Sequence, residues 1–340
     1  MKVYPKEIEI LQLNKELLEA YPEITSSQLN LIQQGVLTIR ENAKRSPLLH
    51  NLMQAIPFIT LFLLWSLLMI SVRLTNLNTT EFVILFTCLH GAIGYSWVVY
   101  GMHEGAGHGL FRGNSFFNKL AFNSCRLMAA DPIHYKKAHS THHNFLGTAK
   151  DQAQTHFVLS RRVVLSMIPG AGILFPSDYR IHKGDEFTIS YAISLIVGVL
   201  VKVLEFILLK DFVNPYALAA TLFLLSPWFG LFLDRIREST EHHFMPIDKK
   251  HGTYELGLSP LSLLVSGGPW GQPCHFSHHQ APDLNWYQQI ILHFKIKEIL
   301  TNEQKDFFGF SKKGMINRAR LVIKSRIQIA TKPKMTTGTL

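Results

Sequence analysis

Four long apolar runs, separated by polar stretches of very different length, set the pattern of the chain. Leu52–Val72 and Phe82–Met102 are each 21 residues without a charged side chain. As helices each covers about 31 Å, the thickness of a hydrocarbon core. Tyr216–Leu233 is an uncharged run of 18 residues, with Pro227 as a tolerated kink. Ile189–Leu209 is equally long but carries Lys202 and Glu205, which stand three apart on a helix and can pair toward a bundle interior. The spacing predicts four transmembrane helices over 52–72, 82–102, 189–209 and 216–233. Short turns join them into two antiparallel hairpins.

The polar segments predict the rest. In residues 1–50 the apolar positions Ile8, Leu11, Leu13, Leu17 and Leu18 recur at roughly helical spacing, and Pro22 ends the run. This reads as an N-terminal helical cap, too polar for a secretory signal peptide. Residues 51–310 form the membrane domain. Within it Phe157–Pro176, interrupted by Arg161 and Arg162, predicts an interfacial helix lying on the membrane. Residues 311–340 are a basic tail, whose Ser311–Lys334 stretch suits either anionic headgroups or solvent. The fold class expected is all-α integral membrane, with a cytosolic helical cap carrying the histidine clusters.

Charge supports that topology. The net charge of +10 follows the positive-inside rule rather than a nucleic-acid motif. The link Arg73–Glu81 holds one basic residue and Lys210–Pro215 holds one, whereas the loop His103–Thr188 holds ten. Both termini and the long loop are therefore expected in the cytoplasm, and no nucleic acid as partner. Cys88, Cys125 and Cys274 are too few and too scattered for a disulfide framework or an iron–sulfur cluster.

The candidate chemistry lies in the histidines. His103 and His108 stand as H-x4-H, His139, His142 and His143 as H-x2-H-H, and His275, His278 and His279 repeat that pattern; the pair His242 and His243 follows the last apolar run. All ten fall on the expected cytoplasmic side. His90, 13 residues before His103 and so about 20 Å deeper, is read as a buried histidine bonded to a neighbouring helix. Positions i, i+3 and i+4 share a helix face, so each trio can send ligands to two adjacent ions. Residues five apart on an α-helix diverge by about 140°, but Gly105, Gly107 and Gly109 let the helix end loosen so that His103 and His108 converge. A zincin is excluded because H-E-x-x-H needs histidine where Gly107 stands. Asp234 and Glu238, eight and four residues before His242, are candidates to orient its ring, or Glu238 to bind metal directly. Eight or nine imidazoles exceed the four ligands of tetrahedral zinc and suit two ions of higher coordination number.

In this order around two membrane hairpins, the boxes resemble those of the membrane fatty acid desaturase family and its hydroxylase relatives. His143-Asn144 followed by Lys150-Asp151 is similar to the family's stretch after the second box. Arg237, Glu241 and His242 are similar to its R-x3-E-H segment. The resemblance implies two iron ions that activate O2 and attack an unactivated C–H bond of a lipid or acyl chain. By the same resemblance the ligands are His103, His108, His139, His142, His143, His242, His275, His278 and His279. No His-Pro-Gly-Gly signature of a fused cytochrome b5 module is present, so an external electron donor of ferredoxin or cytochrome b5 type is implied. Loss of two hydrogens gives a desaturase; gain of oxygen gives a hydroxylase or ketolase; a non-enzymatic metal-binding or transport protein is the third reading.

Overall fold

The structure, a computed structural model, describes Glu19 and residues 21–108, 111, 115–145, 189–242 and 253–312, without the side chains of 106, 107, 115, 138, 145, 238 and 239. The described residues form helices and loops with no strand. Four helices are long and apolar enough to cross a membrane: Pro47–Leu74, Thr79–Gly105, Ile189–Leu209 and Pro215–Arg237. Leu63, Leu67, Ile70, Ile196, Leu200 and Leu204 turn outward from them, an apolar belt that only lipid satisfies. The protein is an all-α membrane protein, as the hydrophobic pattern predicts. The segments 1–18, Phe157–Pro176 and most of the basic tail lie outside the described residues.

Helix α1 (Ser26–Arg45) opens with Thr25 and Gln28 exchanging hydrogen bonds in a capping box. Its buried Ile32, Val36 and Ile39 recur every three to four residues and meet Leu292, Ile296 and Phe308 in one core. Helix α2 (Pro47–Leu74) packs against α3 (Thr79–Val99), which Asn78 and Glu81 cap in the same way. The span beginning with α3 continues as a π-helical segment, Tyr100–His108. Short helix α4 (Ser115–Ser124) runs into a 3-10 turn, Cys125–Met128, and Asp131 then caps α5 (Pro132–Phe145) by accepting from the Ile133 N–H at 3.1 Å.

The third span is α6 (Ile189–Leu209). The fourth is composite: α7 (Pro215–Ala220), a π-helical turn Thr221–Leu225 and α8 (Ser226–Glu241). Pro227 lacks an N–H and crowds the carbonyl four residues earlier, and the widened turn just before it absorbs that conflict. Helices α3 and α8 run in the same direction in close contact. A Cβ on Gly91 would stand 2.7 Å from the Ser226 carbonyl oxygen, and one on Gly230 would stand 3.4 Å from the Tyr95 Cβ, so small residues set the approach of the two backbones. Beyond the bundle lie α9 (Pro260–Ser266), α10 (His275–Gln280), α11 (Trp286–Ile299) and α12 (Asn302–Phe308).

Between the second and third spans the chain folds back into the bundle. Met128 reaches Gly94, where an added Cβ would lie 3.3 Å from its sulfur, and Ala129 abuts Gly198, where an added Cβ would lie 2.6 Å from the Ala129 Cβ. Gly94 is nine residues before His103 and Gly198 nine after Ile189, so the tip sits about 13 Å down each span. Ala129 closes the turn in the left-handed region at φ 57°. Arg126 then ties the turn to α6, donating to the Ser190 carbonyl at 2.8 Å and to Ser194 Oγ at 2.7 Å. One turn deeper, Lys202 donates to Glu205 Oε2 at 2.9 Å, Trp65 Nε1 donates to Oε1 at 2.8 Å, and His90 Nε2 lies 3.1 Å from Oε1. The expected Lys202–Glu205 pair is therefore present, and His90 is bonded to a neighbouring helix. The third span meets the rest of the molecule through the inserted turn, this polar group and an apolar core at its far end, where Phe206 and Leu209 pack with Met69, Phe82 and Leu218.

Candidate metal centre

All nine histidines proposed as ligands from the sequence come together in one cluster, buried except at His108, His143 and His279, which are partly buried. Four elements carry them: the π-helical end of the second span, the face of α5, the end of α8 and the short helix α10. His103 and His108 converge with ring centroids 5.0 Å apart. The cause is more specific than a loosened end: in a π-helix the hydrogen bond runs from i to i+5, which stacks residues five apart. His139 and His143 share a face of α5 as their spacing predicts. His242 closes α8, and His275, His278 and His279 occupy α10.

The rings fall into two adjoining groups. One ligand atom each from His103, His108, His139, His143 and His278 lie within 4.8 Å of one another, and so do those from His142, His242 and His279. His275 joins the second group, its Nε2 standing 2.9 Å from that of His242 and 3.2 Å from that of His279. Each trio thus serves both groups: α5 gives His139 and His143 to the first and His142 to the second, while α10 gives His278 to the first and His275 and His279 to the second. His143 and His279 rings lie 4.8 Å apart where the groups touch.

In the first group the Nε2 atoms form a chain, His108 to His139 at 3.1 Å, His139 to His143 at 3.0 Å, His143 to His278 at 2.9 Å and His278 to His103 at 3.1 Å. A neutral imidazole nitrogen has one proton or one lone pair, so five such atoms in a row can make only two of those four contacts as hydrogen bonds. A shared cation satisfies all five. Donors about 2.1 Å from an ion and at right angles stand about 3.0 Å apart, against about 3.4 Å for a tetrahedron, and the observed spacings match the former. Burial, reinforced for His139, His143, His275, His278 and His279 by the neighbouring imidazoles, holds these rings below the usual histidine range; His108 is lowered by burial to about 4 and His143 is at about 3. At neutral pH they are uncharged with lone pairs free to bind metal. The buried histidine and glutamate groups can hold metal ions.

Behind the rings stand Glu104 and Gln289, which sequence reasoning did not single out, and Glu241, which it named within the R-x3-E-H segment. Glu104 Oε1 lies 3.4 Å from Nδ1 of His103, and Glu241 Oε1 lies 3.6 Å from Nδ1 of His275; neither approach is a hydrogen bond, but both carboxylates stand where such groups support metal-binding imidazoles. Gln289 Nε2 lies 3.0 Å from Nδ1 of His278 and 3.4 Å from Glu104. Asp234, expected beside His242, instead binds Arg237 at 3.0 Å, and Arg237 approaches Glu241 at 3.7 Å, so it reaches the cluster one step further out. The Glu238 side chain and His243 lie outside the described residues. A further buried trio, Glu255, Cys274 and His293, adjoins α10. Burial and the Glu255 carboxylate keep the Cys274 thiol protonated, and Glu255 is already bonded to His293 and to α10, which makes this a hydrogen-bonded network.

Fold and site together define an all-α membrane protein with a largely buried polyhistidine cluster that can hold metal. No protein-family model, no curated protein and no solved structure matches the chain.

Proposed function

We propose that this protein is an O2-dependent oxidoreductase that holds two iron ions and introduces a double bond into a fatty acyl or related lipid chain. The observation that carries the reading is the division of nine imidazoles, six buried and three partly buried, into two touching groups of five and four. Nine nitrogen donors in two sets suit a pair of ions with five or six ligands each, and imidazole suits iron. When bound, the iron pair supplies the activation of O2 and the removal of hydrogen from an unactivated carbon.

The chain's own residues do the rest. Glu104 and Glu241 orient His103 and His275, while Phe276 and the α11 residues behind α10 keep water from the rings. The exposed apolar face continues from the spans through Phe116, Phe117 and Leu120 of α4 to Ile133 of α5, so a lipid can approach the helix that bears His139 without leaving an apolar surface. Desaturation consumes one O2, two electrons and two protons and releases two waters. The electrons come from an external donor, of ferredoxin or cytochrome b5 type. The excess of basic residues in the polar segments at the histidine end supports a cytoplasmic location for that end. The shared chemistry leaves hydroxylation as the second reading, with oxygen retained in the product.

Elemental analysis of the detergent-purified protein tests the centre: about two irons per chain, lost in a His142→Ala/His143→Ala variant. Zinc alone, or no metal in a folded protein, refutes it. Lipid analysis of expressing cells then separates loss of two hydrogens from gain of oxygen.

A further inference from the structure

The extended segment Thr253–Gly257 touches nearly everything that holds the second histidine group. The Tyr254 N–H donates to the Glu241 carbonyl at 2.8 Å, the residue before His242. The Leu256 and Gly257 N–H groups donate to the Pro273 carbonyl at 3.0 and 2.9 Å, two residues before His275. Between them Glu255 is fully buried. Its Oε2 accepts from the N–H groups of Phe276 and Ser277 at 2.8 and 3.3 Å, and its Oε1 accepts from Ser277 Oγ at 3.1 Å. His293 Nδ1 of α11 closes on the same oxygen, with its ring stacked on Phe310 at 5.1 Å. The Glu255 N–H donates to the Phe308 carbonyl at 2.8 Å.

A buried carboxylate with this many donors is fixed in place, since each lost bond leaves a buried polar group unsatisfied. The backbone of α10 is thereby pinned at the level of Phe276 and Ser277, between His275 and His278. The two histidine groups depend on this pin unequally. In the second group His242 follows the anchored Glu241, and His275 and His279 sit on α10; only His142 is independent. In the first group His103, His108, His139 and His143 come from the π-helical end of the second span and from α5, and only His278 rides on α10.

We propose that Glu255, held by His293, is a positioning residue that sets the spacing of the second metal group and leaves the first largely intact. This rests on the two-metal reading above but concerns neither the identity of the metal nor the reaction. Co2+, which takes imidazole ligands and absorbs visibly, is the probe, titrated into metal-free, detergent-purified full-length protein. Wild type should take up about two equivalents, Glu255→Ala about one, and Glu255→Gln, which retains an acceptor oxygen, about two with one released to chelator at least tenfold faster. The visible band remaining in Glu255→Ala should match that of a His242→Ala/His279→Ala variant, a signature that general loss of packing would not reproduce. Two equivalents released at wild-type rates in both variants, or equal loss from both groups, overturns the proposal. If Glu255→Ala does not fold, Glu255→Gln decides alone by the same two outcomes. Wild type that binds two Co2+ but carries no iron from cells refutes the iron reading and leaves the role of Glu255 standing. Wild type that binds none refutes both.

Discussion

Replacing Glu205 by leucine should destabilise the protein more than replacing Glu205 and Lys202 together. Glu205 is fully buried and accepts from Lys202 and Trp65, with His90 as a third neighbour. Glu205→Leu leaves the Lys202 ammonium facing the His90 imidazole at 3.2 Å with its counter-charge removed; removing one member of a buried ion pair costs about 3–5 kcal/mol. Lys202→Met leaves the carboxylate with its Trp65 and His90 contacts and should cost about 1–3 kcal/mol, the range of a hydrogen bond to a charged group. In Lys202→Met/Glu205→Leu no charge remains, and the cost falls to the Trp65 N–H and the His90 Nε2 left without their partners, together about 2–4 kcal/mol. The double variant is then roughly 3 kcal/mol more stable than the sum of the singles predicts. Ordinary hydrogen bonds between spans average only about 0.6 kcal/mol, so coupling of this size identifies the ion pair. Reversible unfolding in mixed micelles, followed by far-UV circular dichroism, measures all four corners of the cycle. Metal content should be unchanged throughout, because His90 lies about 20 Å along the helix from His103. A Glu205→Leu variant within about 1 kcal/mol of wild type, or a double variant that costs the sum of the singles, would refute this account.

Gly198→Ala should cost about 1–3 kcal/mol, because its Cβ meets the Ala129 backbone nitrogen at 2.7 Å and no side chain can swing away. Gly94→Ala, which meets only the flexible end of Met128 at 3.3 Å, should cost less than about 1 kcal/mol; equal thermal shifts would contradict the inserted turn. Glu104→Gln should keep two irons but release the one bound by His103 about 10- to 100-fold faster to chelator, as removal of an orienting carboxylate does. Arg40 pairs with Asp283 across α1 and the loop after α10, and its guanidinium holds the Asp283 carboxyl below the usual range against a raising effect of burial. A depressed carboxyl stabilises the fold above its unfolded value near 3.9 and loses that stability as pH falls through the lower folded value. The pair is exposed, so the effect is at most about 1 kcal/mol. It should vanish in Arg40→Ala when acid unfolding curves are compared.

The spans were legible because long uncharged runs have few alternatives in water, and Lys202 with Glu205 told by spacing alone that they would face inward. The two trios were legible because i, i+3 and i+4 fix a helix face whatever the fold. The convergence of His103 and His108 was readable as a need but not in its means, since a π-helix and a frayed α-helix share the glycine-rich sequence. Glu104 stood within the first box and Glu241 beside His242, where proximity in the chain was a signal. Glu255 and Gln289 gave none: their neighbours are brought by tertiary folding from 21 and 11 residues away. The inserted turn at Met128–Ala129 was invisible for a similar reason, its apolar stretch being short enough to pass for an ordinary connection.

That turn also bears on how the molecule is made. Besides Lys202 and Glu205, which meet His90, and Leu209, which packs with Phe82 and Phe86, the third span is seated through Gly198 and the serines that Arg126 grips, and these face a stretch of chain that leaves the ribosome before the span does. Insertion of α6 into the bilayer and its settling against its neighbours are therefore separate events. The second joins α6 to residues 115–131, and through them to the histidine helix α5 that follows directly.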